Sequence, residues 1–367
     1  MSLFSLKSDP VLGIDISSTA VKLLELSQVG KGYKVESYAM EPLQEKAVED
    51  KNIVEMEIVG KAISNAVERA KPRAQHAAIA VAGPSVITKI TTMDGGMSDE
   101  DMKEAIESDP ATYLGQEVEE VHLDWKVIGP NEKEPERVDV LVVACRDETI
   151  EARIATLEMS GLKAKVVDIE KYALENAFFS MVAQNDPEIN DGETIALIEV
   201  GATTTSMSVL GKNKTEDDKT AGENRIVYTH EEMFGGKQLT DQIISRYELN
   251  YEEANLAKRD GGLSDDYETD ILEPFKVEMA QQISRMVQYY YAQSSYGKLS
   301  HILIAGGCAA IPGIIEEINN KVGGHVTIAN PFASMSIASR VSKKALMNDA
   351  PALMIACGLA LRTFDEY

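Results

Sequence analysis

The stretch "VLGIDISSTAVKLLEL", residues 11–26, decides the fold. Val11, Leu12, Ile14 and Ile16 are apolar, Asp15 interrupts them, and Ser17-Ser18-Thr19 separates this run from a second one that carries Lys22. Two alternating runs around three small polar residues predict a hairpin of half-buried strands with a tight turn. A plain hairpin explains the turn but gives the acid no task, and the same pattern recurs later in the chain. "IALIEVGATTTSMSVL", residues 195–210, aligns with residues 11–26 without a gap: Asp15 falls on Glu199, Ser17 on Gly201, Thr19 on Thr203 and Leu26 on Leu210. An internal copy of this kind predicts two equivalent hairpins, each ending a strand in a carboxylate and a small-residue turn.

Such a turn has a specific chemistry. Without bulky side chains its backbone N–H groups converge on an anion, and the adjacent carboxylate holds a magnesium ion through water. Two of them facing each other would grip a polyphosphate. The candidate phosphate-binding residues are therefore Asp15, Ser17, Ser18, Thr19 and Lys22 in the first turn and Gly201, Ala202, Thr203 and Thr204 in the second, with Asp15 and Glu199 as candidate metal carboxylates. A third segment, "HILIAGGCAAIPGIIEEI" at 301–318, predicts a buried strand over Ile302–Ala305, a double glycine, and a helix through Ile314, Ile315 and Ile318 with Pro312 near its first turn. Gly306-Gly307 permits close approach by something flat, and Ile311 stands beside it. In the fourth, "MFGGKQLTDQIISRY" at 233–247, Gly235-Gly236 opens a helix whose Leu239, Ile243, Ile244 and Tyr247 share one face. The positive end of that helix favours phosphate, with Lys237, Thr240 and Asp241 close by.

Bulk properties exclude other classes. At 367 residues the chain is expected to hold two or more domains. A formal net charge of −24, from Asp+Glu 60 against Lys+Arg 36, repels phosphate backbones and argues against a nucleic-acid partner. Cys145, Cys308 and Cys357 have no metal-ligand or redox spacing, so reduced cytosolic thiols are expected. The opening "MSLFSLKSDP" lacks the basic start and apolar core of a signal peptide. The longest apolar runs, around 302–315 and 350–361, are interrupted by Gly and Pro, so a soluble protein is expected, with membrane association only through a partner. There is no P-loop, Gly-x-Gly-x-x-Gly, Gly-x-Ser-x-Gly or His-Glu-x-x-His pattern. The polar stretch 211–225 is expected to be a long exposed hairpin loop.

The four segments, in this order, resemble the actin-like ATPase superfamily. Asp15 and Lys22 match its first phosphate loop, "GGCAAIPGI" at 306–314 its adenosine loop, "VVDIEKYALENAF" at 166–178 its first connecting helix and "IACGLAL" at 355–361 its second. Within it, "LGIDISSTAVKLLEL", "VVDIEKYALENA" and "AQQISRMVQYYYAQS" at 280–294 are similar to the PilM family of type IV pilus assembly. The resemblance implies an α/β, actin-like (ribonuclease H-like) duplicated βββαβαβα fold, two lobes around a nucleotide cleft, and an FtsA-type 1C subdomain. It implies subdomain 1A at 9–83, completed by 164–190 and 346–367, and 1C at 84–163. It also implies 2A at 191–235, completed by 298–345, and 2B at 236–297. Within 1C the expected elements are strand Val86–Thr92, a helix from Asp99, strands Val121–Ile128 and Val138–Ala144, and helix Thr149–Ser160.

The resemblance further implies ATP and Mg2+ as cofactors, Lys276 as an additional nucleotide contact, and Glu170 as the one candidate for orienting water. The N-terminal cytoplasmic peptide of PilN is the implied partner, in a groove between 1A and 1C. Other pilus platform and motor ATPase components are reached indirectly, at the cytoplasmic face of the inner membrane. Ser17 stands where the superfamily has Gly and Glu199 where it has Asp. Since catalysis needs placement to about an ångström, slow or no turnover is expected. An actin-like small-molecule kinase and an FtsA-like filament-forming division protein are the alternative readings, because this fold serves several functions.

Overall fold

The computed structural model describes residues 10–131, 133–185, 194–212, 224–294 and 296–365. The opening stretch forms β1 (Val11–Ile16) and β2 (Ala20–Val29), which pair antiparallel, and β3 (Gly32–Pro42) continues the meander. Helix α1 (Met56–Ala70) leads to β4 (His76–Val81), parallel to β1. The expectation of a half-buried strand is corrected here, because every residue of β1 is buried. Leu12, Ile14 and Ile16 face the α1 side with Val59, Ile63 and Ala66, whereas Val11 joins the core on the opposite face. Helices cover both faces of the sheet, which is why the strand carries an almost continuous apolar run.

An inserted unit follows. Strands β5 (Val86–Asp94), β6 (Val121–Pro130) and β7 (Arg137–Arg146) form an antiparallel sheet in the order β5-β7-β6, with α2 (Asp99–Ser108) and α3 (Pro110–Leu114) between β5 and β6. Val140, Val142 and Ala144 pack with Met102, Ile106 and Leu114 in a core separate from the others. The next helix, α4 (Asp147–Met159), was expected within this unit, but its Leu157 and Ile154 pack into the first lobe's core beside α1. Its buried positions are Thr149, Arg153, Thr156 and Leu157, a mostly polar stripe.

Strand β8 (Lys163–Ile169), parallel to β4, and α5 (Glu170–Asn185) return the chain to the first lobe, giving the order β8-β4-β1-β2-β3 with the short strand Ser336–Ile337 at the edge. The second lobe repeats this order. Strands β9 (Ile195–Val200), β10 (Thr205–Lys212) and β11 (Asn224–Glu232) form the meander. Helices α6 (Gly236–Tyr247), α7 (Tyr251–Asp260) and α8 (Glu273–Gln293) follow. Then come β12 (His301–Ala305), α9 (Ile314–Val322) and β13 (His325–Ile328). The sheet runs β13-β12-β9-β10-β11, each strand paired in the sense of its counterpart in the first lobe. The 184-residue repeat holds at the level of pairs: Ile14 faces Leu23 as Ile198 faces Met207. Most of the expected 211–225 loop lies outside the described residues.

Helices α10 (Lys343–Asp349) and α11 (Met354–Leu361) close the chain between the lobes. A side chain on Gly13 would place its Cβ 2.1 Å from Ala356 O, and one on Gly358 would place it 1.7 Å from Ala173 O. These glycines let α11 lie directly on β1 and α5. Among the described residues, Lys343–Phe364 is the one helical stretch long and apolar enough to cross a membrane, with a mean hydropathy of 1.2, and 67% of it is buried inside the fold.

Candidate functional site

The two turns share a backbone device. Ser17 N donates to Ala20 O at 3.0 Å, and at the equivalent position Gly201 N donates to Thr204 O at 3.0 Å. Among the described residues, the N–H groups of Ser18, Thr19, Ala202 and Thr203 have no protein acceptor, the arrangement an anion-binding turn requires. Ser17, where glycine was the family expectation, uses its hydroxyl within the turn: Oγ donates to Ala20 O at 2.9 Å.

The acids behind the turns come together with cations. Asp15, 2% exposed, faces Lys22 across the β1–β2 ladder and holds its Nζ at 2.8 Å. Burial would lower the Lys22 pKa, but Asp15, then Glu199 and Glu170, outweigh it and hold it raised. Glu199 faces Ser206 at the equivalent ladder position and so has no cation opposite it. Burial first, and the Glu170 charge second, push its carboxyl up to about 7 against the pull of Lys22 and Lys51. Glu170, the first residue of α5, is held by Lys51 Nζ at 2.7 Å. The structure thus brings Asp15, Lys22, Glu170 and Glu199 into one electrostatic cluster.

Sequence reasoning missed two members of that cluster. Lys51 lies at the tip of a small hairpin in which Val48 pairs Ile53 and Glu49 pairs Asn52. Burial works to lower its pKa, and Glu170, then Glu199 and Asp15, hold it raised. Arg153 of α4, 2% exposed, donates from Nη2 to Lys51 O at 2.7 Å. Its pKa is lowered by burial, against the pull of Glu170 and Asp15.

The helix start at Gly235-Gly236 does something other than expected. Gly236 N donates to Gly201 O at 3.0 Å and Lys237 N to Ala202 O at 2.8 Å, so these first amides brace the second turn from behind. A Cβ on Gly235 would lie 2.5 Å from the Ala202 carbonyl, which is why glycine stands there. Lys237 is tied to Asp241 at 2.6 Å on an exposed face. Thr240, 2% exposed, accepts from Lys258 Nζ at 2.7 Å. Lys258 was not foreseen; burial lowers its pKa.

The double glycine is shaped for close approach. Gly306 has φ +86 and a Cβ there would lie 2.2 Å from Val200 O, whereas a Cβ on Gly307 would meet open space. Cys308 Sγ lies 3.8 Å from Gly201 O, joining this loop to the second turn. Lys276, 7% exposed, reaches Pro312 O at 3.4 Å and pairs with Glu273. Pro312 itself precedes the helix: a 3-10 turn over Gly307–Ala310 and the left-handed Gly313, φ +77, delay the start of α9 to Ile314. Ile311 is half-buried between them.

Among the described residues, no group of three or more His, Cys, Asp or Glu side chains is arranged to hold a metal ion unaided. Two carboxylates beside two turns with unpaired amides would fit a different use, a magnesium ion shared with phosphate oxygens and water.

The family model described as type IV pilus assembly protein PilM matches residues 13–364. Among solved structures, the PilM-PilN type IV pilus biogenesis complex superposes with a TM-score of 0.77 at 22% identity, covering 98% of this chain and 100% of that one. The ethanolamine utilization protein EutJ from Carboxydothermus hydrogenoformans gives 0.54 at 16% identity, covering 96% of this chain and 89% of that one. The duplicated sheets and the intervening helices are the actin-like α/β fold.

Proposed function

The chain belongs to the PilM family of type IV pilus assembly proteins, and from that premise we propose that it is a nucleotide-switched scaffold of the pilus inner-membrane complex. The observation that carries the nucleotide part is the pair of turns with identical backbone bonds, backed by Asp15 and Glu199. The amides of Ser18, Thr19, Ala202 and Thr203 would take the phosphates, Lys22 their charge, and Asp15 and Glu199 the hydration shell of Mg2+. Gly307 would leave room for the adenosine, with Lys276 and Ile311 beside that loop and Thr240 as a further expected contact. Bound Mg-ATP would supply the negative charge that this cation set is matched to.

Glu170 would be the candidate to orient a hydrolytic water, yet Lys51 holds its carboxylate at 2.7 Å. A carboxylate engaged in that ion pair is not free to orient a water, which supports slow or no hydrolysis and a binding role over a kinase role. The relative solved as a PilM-PilN complex supports PilN as the partner. Its N-terminal cytoplasmic peptide would dock between the first lobe and the 86–146 unit, holding the protein at the cytoplasmic face of the membrane. Calorimetric titration of an N-terminal PilN peptide, with and without Mg-ATP, tests the reading. Binding that differs between the two conditions gives the coupling free energy directly. Absence of binding in both refutes the scaffold role, and phosphoryl transfer to sugars or carboxylates would then establish the kinase alternative.

A further inference from the structure

The small hairpin that carries Lys51 is built under strain. Its two turn residues, Asp50 and Lys51, have φ 45 and 68, a left-handed pair that favours Asn-Gly and not Asp-Lys. It is seated against Gly83, whose Cβ, if present, would lie 3.1 Å from Asp50 O and 3.1 Å from Lys51 Cβ. Backbone strain kept in this way marks a side chain whose placement matters. What it places is Lys51 Nζ on Glu170, with the lysine 30% and the glutamate 15% exposed, so the pair borders the cleft.

Directly behind stands Arg153. Only Nη2 has a partner, the Lys51 carbonyl, while Nε and Nη1 are buried with no hydrogen-bond partner. A guanidinium does not escape this cost by losing its proton, and each of the two unpartnered nitrogens can donate to a carboxylate oxygen. Glu170, followed by Asp15, is the carboxylate whose charge bears most on it. Asp15, paired with Lys22 at 2.8 Å, has the metal role proposed above, which leaves Glu170, paired with Lys51, as the one to change partner.

We infer that Lys51 is a phosphate-binding residue, and that its capture by the terminal phosphate of a nucleoside triphosphate transfers Glu170 to the waiting donors of Arg153. This rests on the nucleotide reading above and adds to it a route out of the cleft. Arg153 belongs to α4, whose first residue, Asp147, directly follows Arg146 at the end of β7, the central strand of the 86–146 sheet. A diphosphate, with no terminal group to draw Lys51, leaves the Lys51–Glu170 pair intact.

The test uses the full chain, calorimetry with Mg-ATP and Mg-ADP, and hydrogen exchange of segment 137–159. The first variant is Lys51→Gly, because glycine relieves the positive φ while removing the cation. It should weaken Mg-ATP about tenfold or more, the cost of a charged hydrogen bond, and Mg-ADP much less. With Glu170 released, it should also show, without nucleotide, the α4 protection that the wild type shows only with Mg-ATP. Arg153→Met should bind Mg-ATP but lose that protection change, and melt higher than the wild type without nucleotide because two unpartnered buried donors are gone. Wild type that binds no nucleotide overturns the nucleotide reading itself. Wild type that binds while Lys51→Gly matches it for Mg-ATP overturns this inference alone. Protection that persists in Arg153→Met also overturns it.

Discussion

Replacing Lys22 by Met tests whether the cleft is electrically closed before any ligand arrives. Asp15 is 2% and Lys22 12% exposed, and their contact is 2.8 Å. At an effective dielectric of about 20, unit charges at that distance attract by roughly 6 kcal/mol, most of which offsets the desolvation of the pair. What a single variant measures is the cost of one buried charge left behind, about 3–5 kcal/mol. Some of this is recovered, since Lys51 also bears on the acid cluster, so about 3 kcal/mol is expected. With an unfolding entropy of about 2.1 cal/mol/K per residue, a chain of this length then melts roughly 4 °C lower. Asp15→Asn alone should lose a similar amount by stranding Lys22. The double variant Asp15→Asn/Lys22→Met should lose only about 3 kcal/mol, half the sum of the two singles, a coupling of about 3 kcal/mol. Scanning calorimetry without magnesium or nucleotide at pH 7.5 measures all four forms. Additive single effects would refute the pair as the organising contact of the first turn.

Three further outcomes follow from separate parts of the fold. Burial, with Asp168 adding and Lys171 opposing, pushes the Glu175 carboxyl up from 4.5 to about 7, and its Oε1 has no partner. The folded state therefore binds a proton that the unfolded state releases between these values, so stability falls as pH rises from about 4.5 to 7 and is level above. Glu175→Gln should flatten that slope and raise the melting free energy at pH 8 by on the order of 2 kcal/mol, seen in urea titrations at several pH values. Gly358→Ala would drive a Cβ to 1.7 Å from Ala173 O, backbone against helix, and should cost at or above the top of the ~1–3 kcal/mol overpacking range. Ser206→Lys would set a cation opposite Glu199 as Lys22 is opposite Asp15, and a carboxyl-carbon NMR titration should find Glu199 well below its value of about 7.

The gapless repeat made the duplication legible because turn chemistry is local: Ser17 and Gly201 make the same bond in two lobes. The strands of the 86–146 sheet, and α5 and α11, were legible through the wording of the family resemblance and not through composition or periodicity. Lys51 was hidden because nothing in "VEDKNI" signals a two-residue turn with both φ positive; the usual cue is Asn-Gly or Asp-Gly. Arg153 was hidden for a different reason. A helix whose buried stripe is Thr149, Arg153, Thr156 and Leu157 shows no apolar periodicity, so sequence places its arginine in water. Only the packing of α4 on α1 takes it out. The use of the first α6 amides on the second turn was equally out of reach, since a helix start that favours anions satisfies a carbonyl just as well.

The two halves are symmetric in backbone and asymmetric in charge. In the first half the acid has its own cation across the ladder, so Asp15 and Lys22 are neutral together. In the second half the same position is Ser206, and Glu199 answers its burial by keeping a proton near neutral pH. Lys51 is committed to Glu170, and Arg153 holds donors that nothing in the protein takes up. A bare anion would bind to Lys22 only by stripping it from Asp15, and a bare cation would have to displace Lys22 or the Glu199 proton. On the proposed reading a magnesium polyphosphate would do both at once: Asp15 and Glu199 would face the metal and the lysines the phosphates. On the nucleotide reading proposed above, the cleft would be matched to an ion pair of that kind and poorly matched to either component alone, the selectivity a nucleotide-dependent scaffold would need.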